Sequence, residues 1–315
     1  MPYKVVFMGC PDFAVPSLKA LVENPDFEVV AVYSMPDKPK GRGRKPSPTP
    51  IKEFALSRNL PVNTPSSFRK FPEEIEKLRA YEPDFLVVVA YGLILPQAVL
   101  EIPAIAPINV HASLLPKYRG PAPIHYAIMN GDKITGNSIM LMNSKMDEGD
   151  IIAVSKIEIE DSDNLESLHD KLSANGAELL IPALHGYATG AIVPEKQNHH
   201  EATYTCKISP QLAEINWQKP AREIHNLIRA MCPFPGAWFN DGCERIKVFS
   251  SELLPEKCDS RPGSLKIDNG KIAVVCGDGY CISLLQLQRP GKSRLSSEEF
   301  LRGYKFKDSL LKASA

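Results

Sequence analysis

The chain has 315 residues, 43% of them hydrophobic and 23% charged, a composition that supports a sizeable core and excludes disordered and collagen-like chains. Its 37 basic and 37 acidic residues cancel, so no overall field attracts nucleic acid and any polyanion must be met by local patches. Seven scattered cysteines show no Cys-x-x-Cys and no histidine at zinc-ligand spacing, and no apolar run reaches the roughly 20 residues of a membrane span. A soluble cytoplasmic protein with reduced thiols, no metal site and no presequence is therefore expected.

In chain order, Lys4 to Met8 reads as a strand closed by Gly9-Cys10-Pro11-Asp12-Phe13, with a helix on Ala14, Leu18, Leu21 and Val22 and a second strand from Phe27 to Tyr33. This order opens an α/β sheet, yet only Gly9 stands where a dinucleotide fingerprint needs three glycines, which makes an NAD-type cofactor improbable. Residues 34–52 hold six bases (Lys38, Lys40, Arg42, Arg44, Lys45, Lys52) against Asp37, a local charge of +5. Its glycines favour mobility and its prolines argue against helix or sheet pairing, so an exposed loop is expected, either a solvated linker or a segment following a phosphate backbone. Thr49-Pro50 caps a helix through Arg58, Phe71 to Tyr81 fits another, and the apolar Phe85 to Ala90 fits a parallel strand covered on both faces.

Residues 106–120 read as a buried strand that empties into a loop. Successive side chains of a strand alternate, so Asn109 and His111 share one face and Ile108 and Val110 the other. On these residues alone the pair is either chemistry or a turn-closing Asn beside a backbone-satisfied His. Ligands of open α/β sheets bind beyond the carboxyl ends of the strands, so Ala90 to Leu95 and Asn109 to Pro116 are expected around one crevice, with Leu93-Ile94-Leu95 as its wall. Then come a helix at 121–130, a strand at 138–142, an acidic turn at 146–150, a strand at 151–159, and a long helix from Leu165 to about Gly186 capped by Asn164. Asp147 either orients His111 and favours its charged form or bonds turn backbone; spacing does not choose.

The C-terminal third changes character. Residues 190–207 are polar and irregular and read as a linker, within which His199-His200 lacks a third metal ligand. A helix signal runs from Ile215 through Ile228, followed by short strands at 246–249, 264–267, 272–276 and 281–287 with glycine-bearing turns, the pattern of a small β-barrel. From Leu287 onward seven bases face three acids, a local charge of +4.

Taken together, Gly9-x-Pro11-Asp12-Phe13, Gly41-Arg42-Gly43, Val87 to Pro96, Asn109-Val110-His111-x-Ser113-Leu114-Leu115-Pro116, Arg119-Gly120 and Asp147-x-Gly149-Asp150 make the chain resemble the methionyl-tRNA formyltransferase family over nearly its whole length. The resemblance implies an α/β fold: a Rossmann-like formyltransferase domain at 1–189, a linker at 190–207 and an OB-like β-barrel domain at 208–315 that binds tRNA. It also implies 10-formyltetrahydrofolate as donor and methionyl initiator tRNA as acceptor; no metal and a monomer are expected alongside. The catalytic trio falls on Asn109, His111 and Asp147, the folate-contacting segment on Ser113, Leu114, Leu115 and Pro116, and tRNA contacts on Arg42, Arg44 and Lys45. Three positions depart from the family pattern: Cys10 stands for the usual Thr, and Met146 and Glu148 for Leu and Thr. Two rivals are a formyltransferase for a sugar or ribonucleotide amine, which has no obvious use for two basic segments, and a catalytically silent tRNA-binding protein, against which the intact trio speaks.

Overall fold

The computed structural model describes residues 1–40 and 45–311. Arg42 and Arg44 lie outside them, and Lys45 enters only through its backbone. By its contacts the chain divides into two compact units, the first made of residues 1–120, 134–157 and 169–204, the second of 121–133, 158–168 and the chain from Thr205 onward.

The first unit is built on a seven-stranded sheet. Its strands are β1 (Tyr3–Gly9), β2 (Phe27–Tyr33), β5 (Val62–Asn63), β6 (Phe85–Val89), β7 (Ala106–His111), β8 (Ile134–Leu141) and β9 (Ile151–Glu158), in the spatial order β5-β2-β1-β6-β7-β8-β9. The first five are mutually parallel and β8 runs antiparallel to β7. All five residues of β6 are buried, as its continuous apolar run predicts for a strand covered on both faces. The chain leaves β1 on one side for β2 and β5, then returns on the other with β6, so strand order reverses between β1 and β6 and the loops there diverge into a crevice. Gly9 ends β1 because a Cβ there would come within 3.0 Å of both the Ala14 methyl and the Val89 carbonyl. Helices α1 (Val15–Glu23), α2 (Pro50–Ser57), α3 (Glu73–Arg79), α4 (Gln97–Leu100) and the 24-residue α6 (Leu165–Ala188) complete the α/β architecture. Thr49 and Asn164 accept the backbone N–H groups of Lys52 and Ser167, the capping expected at both sites.

One expectation is overturned in the basic segment. Lys38–Lys40 (β3) and Lys45–Ser47 (β4) form an antiparallel ribbon in which Pro39 faces Pro46. Antiparallel pairs alternate between hydrogen-bonded and non-hydrogen-bonded sites, and two facing prolines occupy the site that asks for no N–H. Near its base Lys52 Nζ meets Asp37 Oδ1 at 2.7 Å, so one base is already neutralised.

The second unit is antiparallel. Strands β10 (Ala237–Asp241), β11 (Glu244–Lys257), β14 (Tyr280–Gln288), β13 (Lys271–Val275) and β12 (Leu265–Asp268) lie in that order, with β15 (Arg294–Ser296) on β14. The 14-residue β11 slips register after Val248, Ser250 and Leu254, and such bulges bend a sheet around its core. That core gathers Trp217, Ile224, Ile228, Phe239, Val248, Ile282, Leu284 and Phe300. Helices α5 (Pro123–Met129) and α7 (Ala221–Ala230) pack together in this unit, and α8 (Ser297–Gly303) opens with a capping box from Ser296 and Glu299. The α7 helix begins at Ala221 rather than near Ile215, because Pro220 occupies its N-cap.

Candidate active site

The site grows from the carboxyl end of β7. Ile108 and Val110 are buried in the sheet, and the opposite face carries the half-buried Asn109 and the buried His111. Asn109 lies in register with Val88 of β6 and Met140 of β8, so its backbone is fixed from both sides. Its amide makes no side-chain hydrogen bond among the described residues and is free to meet a ligand.

His111 is held by a hydrogen bond at one ring nitrogen and faced by a carboxylate at the other. Nε2 lies 3.0 Å from the Tyr118 carbonyl oxygen, an acceptor, so Nε2 carries a proton and donates it. Nδ1 faces Asp147, whose Oδ2 lies 3.8 Å away, an ion-pair separation longer than a hydrogen bond. The same Oδ2 accepts the Gly120 N–H at 2.7 Å, while Oδ1 has no partner among the described residues. Asp147 therefore reaches His111, and its shortest contact anchors it to the loop that follows β7. Ala90, Tyr118 and Asp147 adopt φ values of 48°, 61° and 53°, so three of the six described non-glycine residues in the left-handed region sit where the loops beyond β6, β7 and β8 carry these groups. Such strain concentrates at sites whose surroundings over-determine them.

The segment Ser113 to Pro116 is internally tied. Ser113 Oγ donates to the Lys117 carbonyl at 2.6 Å, and Ser138 Oγ bridges the Ser113 carbonyl, at 2.7 Å, and the Leu115 N–H, at 3.1 Å. Ser113 and Leu115 are buried, whereas Leu114 and Pro116 retain an accessible face. Across the sheet Cys10 Sγ donates to the Tyr91 carbonyl at 2.8 Å, and burial raises its pKa, so the residue replacing Thr keeps a donor at the strand switch. Of the expected apolar wall, Leu95 is in the core, Leu93 is partly covered and Ile94 is 77% exposed.

Arg119 is wholly buried and organises the other half of the site. Its Nε and Nη2 donate to Gln197 Oε1 at 3.1 and 2.7 Å, Nη1 donates to the Tyr204 hydroxyl at 3.0 Å, and Nη2 lies 3.0 Å from His199 Nδ1, which therefore accepts. Glu148 approaches Nη1 at 3.5 Å, so the acid standing where the family has Thr pairs with this guanidinium. Gln197 Nε2 in turn donates to the carbonyls of Asp147, at 2.9 Å, and Gly149, at 2.7 Å. Gly149 admits no side chain, since a Cβ would fall 1.7 Å from the Leu141 carbonyl oxygen. Gln197, His199 and Tyr204, which belong to the first unit, thus supply hydrogen-bond acceptors to the buried Arg119.

Residues 3–184 match the family model for formyl transferases, and residues 207–305 match the model for the formyl transferase C-terminal domain. The methionyl-tRNA formyltransferase of Clostridium novyi is 46% identical over 95% of this chain and 96% of its own length. The chain belongs to the methionyl-tRNA formyltransferase family. The Bacillus subtilis methionyl-tRNA formyltransferase is 42% identical over 95% of this formyltransferase and 94% of its own length. A solved N-formyltransferase of Helicobacter canadensis, in complex with folinic acid and dTDP-3-aminofucose, superposes with a TM-score of 0.68 at 21% identity, covering 92% of this chain and 100% of that one. That likeness carries the fold.

In the formyltransferase's second unit much of the tail's basic charge is already engaged. Arg289 forks onto Glu244 at 2.7 and 3.2 Å, Arg302 meets Glu298 at 2.6 Å, and Arg294 lies 3.6 Å over the Phe249 ring. Lys292, Lys305 and Lys307 enter no ion pair among the described residues. The last two border a groove of about 690 Å³ whose lining includes Leu265, Ile267, Tyr304 and Phe306. No helix among the described residues is long and apolar enough to cross a membrane, and no group of three His, Cys, Asp or Glu residues is placed to hold a metal ion.

Proposed function

We infer that this enzyme transfers the formyl group of 10-formyltetrahydrofolate to the α-amine of methionyl initiator tRNA, acting as a cytoplasmic monomer with a catalytic portion at 1–189 and a tRNA-binding portion at 208–315. The observation that carries the reading is the uncommitted Asn109 amide beside the His111–Asp147 pair at the carboxyl end of β7. Formyl transfer makes a C–N bond to the acceptor amine and breaks the one to the folate nitrogen, through a tetrahedral intermediate with a negative oxygen. The Asn109 amide donates to that oxygen, and His111, its Nε2 tied to Tyr118, supplies a second donor from Nδ1 when protonated. Preorganised donors of this kind contribute roughly 3 to 4 kcal/mol each. Asp147 orients His111 through Oδ2, and its unpartnered Oδ1 takes the amine proton, directly or through water, while the departing folate nitrogen takes up a proton in exchange. Leu114 and Pro116 form the folate wall, while Ser113 and Leu115 hold it in shape. Arg42, Arg44 and Lys45 supply cations to tRNA phosphates, contacts that position the nucleic acid without reading its bases.

The test incubates the protein with formyl-labelled 10-formyltetrahydrofolate and either methionyl initiator tRNA or free sugar and nucleotide amines. Label on the tRNA's methionyl nitrogen is expected. Label found only on free amines overturns the acceptor, and label on neither overturns the enzyme assignment.

A further inference from the structure

Gln197 lies in a polar, irregular stretch with no helical or strand periodicity, yet it is only 6% exposed and uses both ends of its amide. The amide's orientation is settled by its partners. A guanidinium only donates, so the atom facing Arg119 is the carbonyl oxygen; backbone carbonyls only accept, so the atom facing Asp147 and Gly149 is the NH2. The two loops joined this way are those that carry the His111–Asp147 pair. Tyr118, whose carbonyl accepts from His111, and Gly120, whose N–H holds the Asp147 carboxylate, flank Arg119 in sequence; Asp147 and Gly149 belong to the turn beyond β8.

We propose that Gln197 is a positioning residue for formyl transfer, an amide clamp that fixes the Asp147 turn against the Arg119 loop and so sets the separation between the Asp147 carboxylate and His111. The proposal rests on the reading of Asp147 as a catalytic group. Gln197 itself stays out of contact with the reacting atoms, because each of its polar atoms is spent on protein partners. Its loss leaves Arg119 anchored by Tyr204, His199 and Glu148, so the fold keeps its buried cation satisfied while the Asp147 backbone loses a donor. Rotation of the turn by a fraction of an ångström then alters the 3.8 Å approach of Oδ2 to Nδ1.

The experiment compares Gln197→Met, which keeps length but removes both hydrogen-bonding ends, with Asp147→Asn and the double variant, using labelled 10-formyltetrahydrofolate and methionyl initiator tRNA. Gln197→Met is expected to lower kcat by about 10- to 100-fold with KM for both substrates within about twofold, as a misplaced catalytic group does. Its pH–rate profile should shift, and the double variant should be no slower than Asp147→Asn alone. Wild-type kcat in Gln197→Met beside an impaired Asp147→Asn removes the clamp and leaves the catalytic reading standing. Wild-type kcat in Asp147→Asn removes both. A change confined to KM, or losses that multiply in the double variant, also overturns the clamp. Should Gln197→Met not fold, Gln197→Glu serves instead: it retains the Arg119 contact and sets a carboxylate oxygen against two carbonyls. The same fall in kcat supports the clamp, and undiminished kcat overturns it.

Discussion

The Arg119–Gln197 network of the first unit and the basic tail of the second treat their polar groups in opposite ways. In the first, Arg119, His111 and Gln197 are buried, and each polar atom has a partner at a defined distance. In the second, the cations from Arg289 onward lie at the surface, forked onto carboxylates, laid over aromatic rings or unpaired beside a groove, although Arg229 elsewhere in that unit is buried on the carbonyls of Glu160 and Asp163. A buried network is sensitive to one atom, because desolvated groups cannot turn to water when a partner is lost. A surface array is sensitive to its sum, because each exposed charge is screened and replaceable. Under the proposed function, chemistry falls to the first arrangement and recognition of a phosphate backbone to the second.

The sharpest way to break this contrast is Asn109→Ala. Loss of one donor in a preorganised site should lower kcat by about 100- to 1,000-fold while the folate KM changes little. His111→Ala should behave alike, and steady-state kinetics with full turnover in either variant would remove that side chain from the mechanism. Acid separates the units next. Burial depresses the His225 pKa to about 4, helped by the charges of Arg229 and Arg222, and burial alone takes His125 to about 4; both rings belong to the second unit. An unfolded imidazole protonates near 6.5, so between about pH 6.5 and 4 the unfolded chain binds more protons than the folded one. Stability falls as pH is lowered through that window, by on the order of 1 to 3 kcal/mol for each ring. Urea unfolding midpoints that stay level from pH 7 to 4.5 would contradict this, and His225→Asn should flatten the slope. The smallest effect belongs to the surface. Lys305→Ala and Lys307→Ala, alone or with Arg42→Ala and Arg44→Ala, should weaken tRNA binding a few-fold each. The slope of log affinity against log salt should also drop by about one per contact. Neutralisation that lowers kcat instead would erase the distinction between the units.

The period of two in β7 makes Asn109 and His111 legible as neighbours on one face, and the apolar run of β6 announces a doubly covered strand. Asp147 is legible as a partner only through the family pattern, since a turn residue 36 positions from His111 carries no periodic signal. Gln197 is not legible at all. It stands 78 residues from Arg119 and 50 from Asp147, in a stretch whose polarity reads as solvation because nothing local reveals a buried guanidinium in need of an acceptor. The basic segment is misread for a different reason. Proline is a poor strand residue because it lacks an N–H, yet only every second residue of a ribbon needs one.

That ribbon has an effect on the molecule's surroundings. At a non-hydrogen-bonded pair the backbone N–H groups point outward, toward the place a third strand would take. With proline at 39 and 46 neither margin of the ribbon offers a donor there. A projecting two-stranded edge would ordinarily invite strand addition from another copy or a nascent chain. Here it is self-terminating, so this edge does not seed aggregation in the crowded setting of translation.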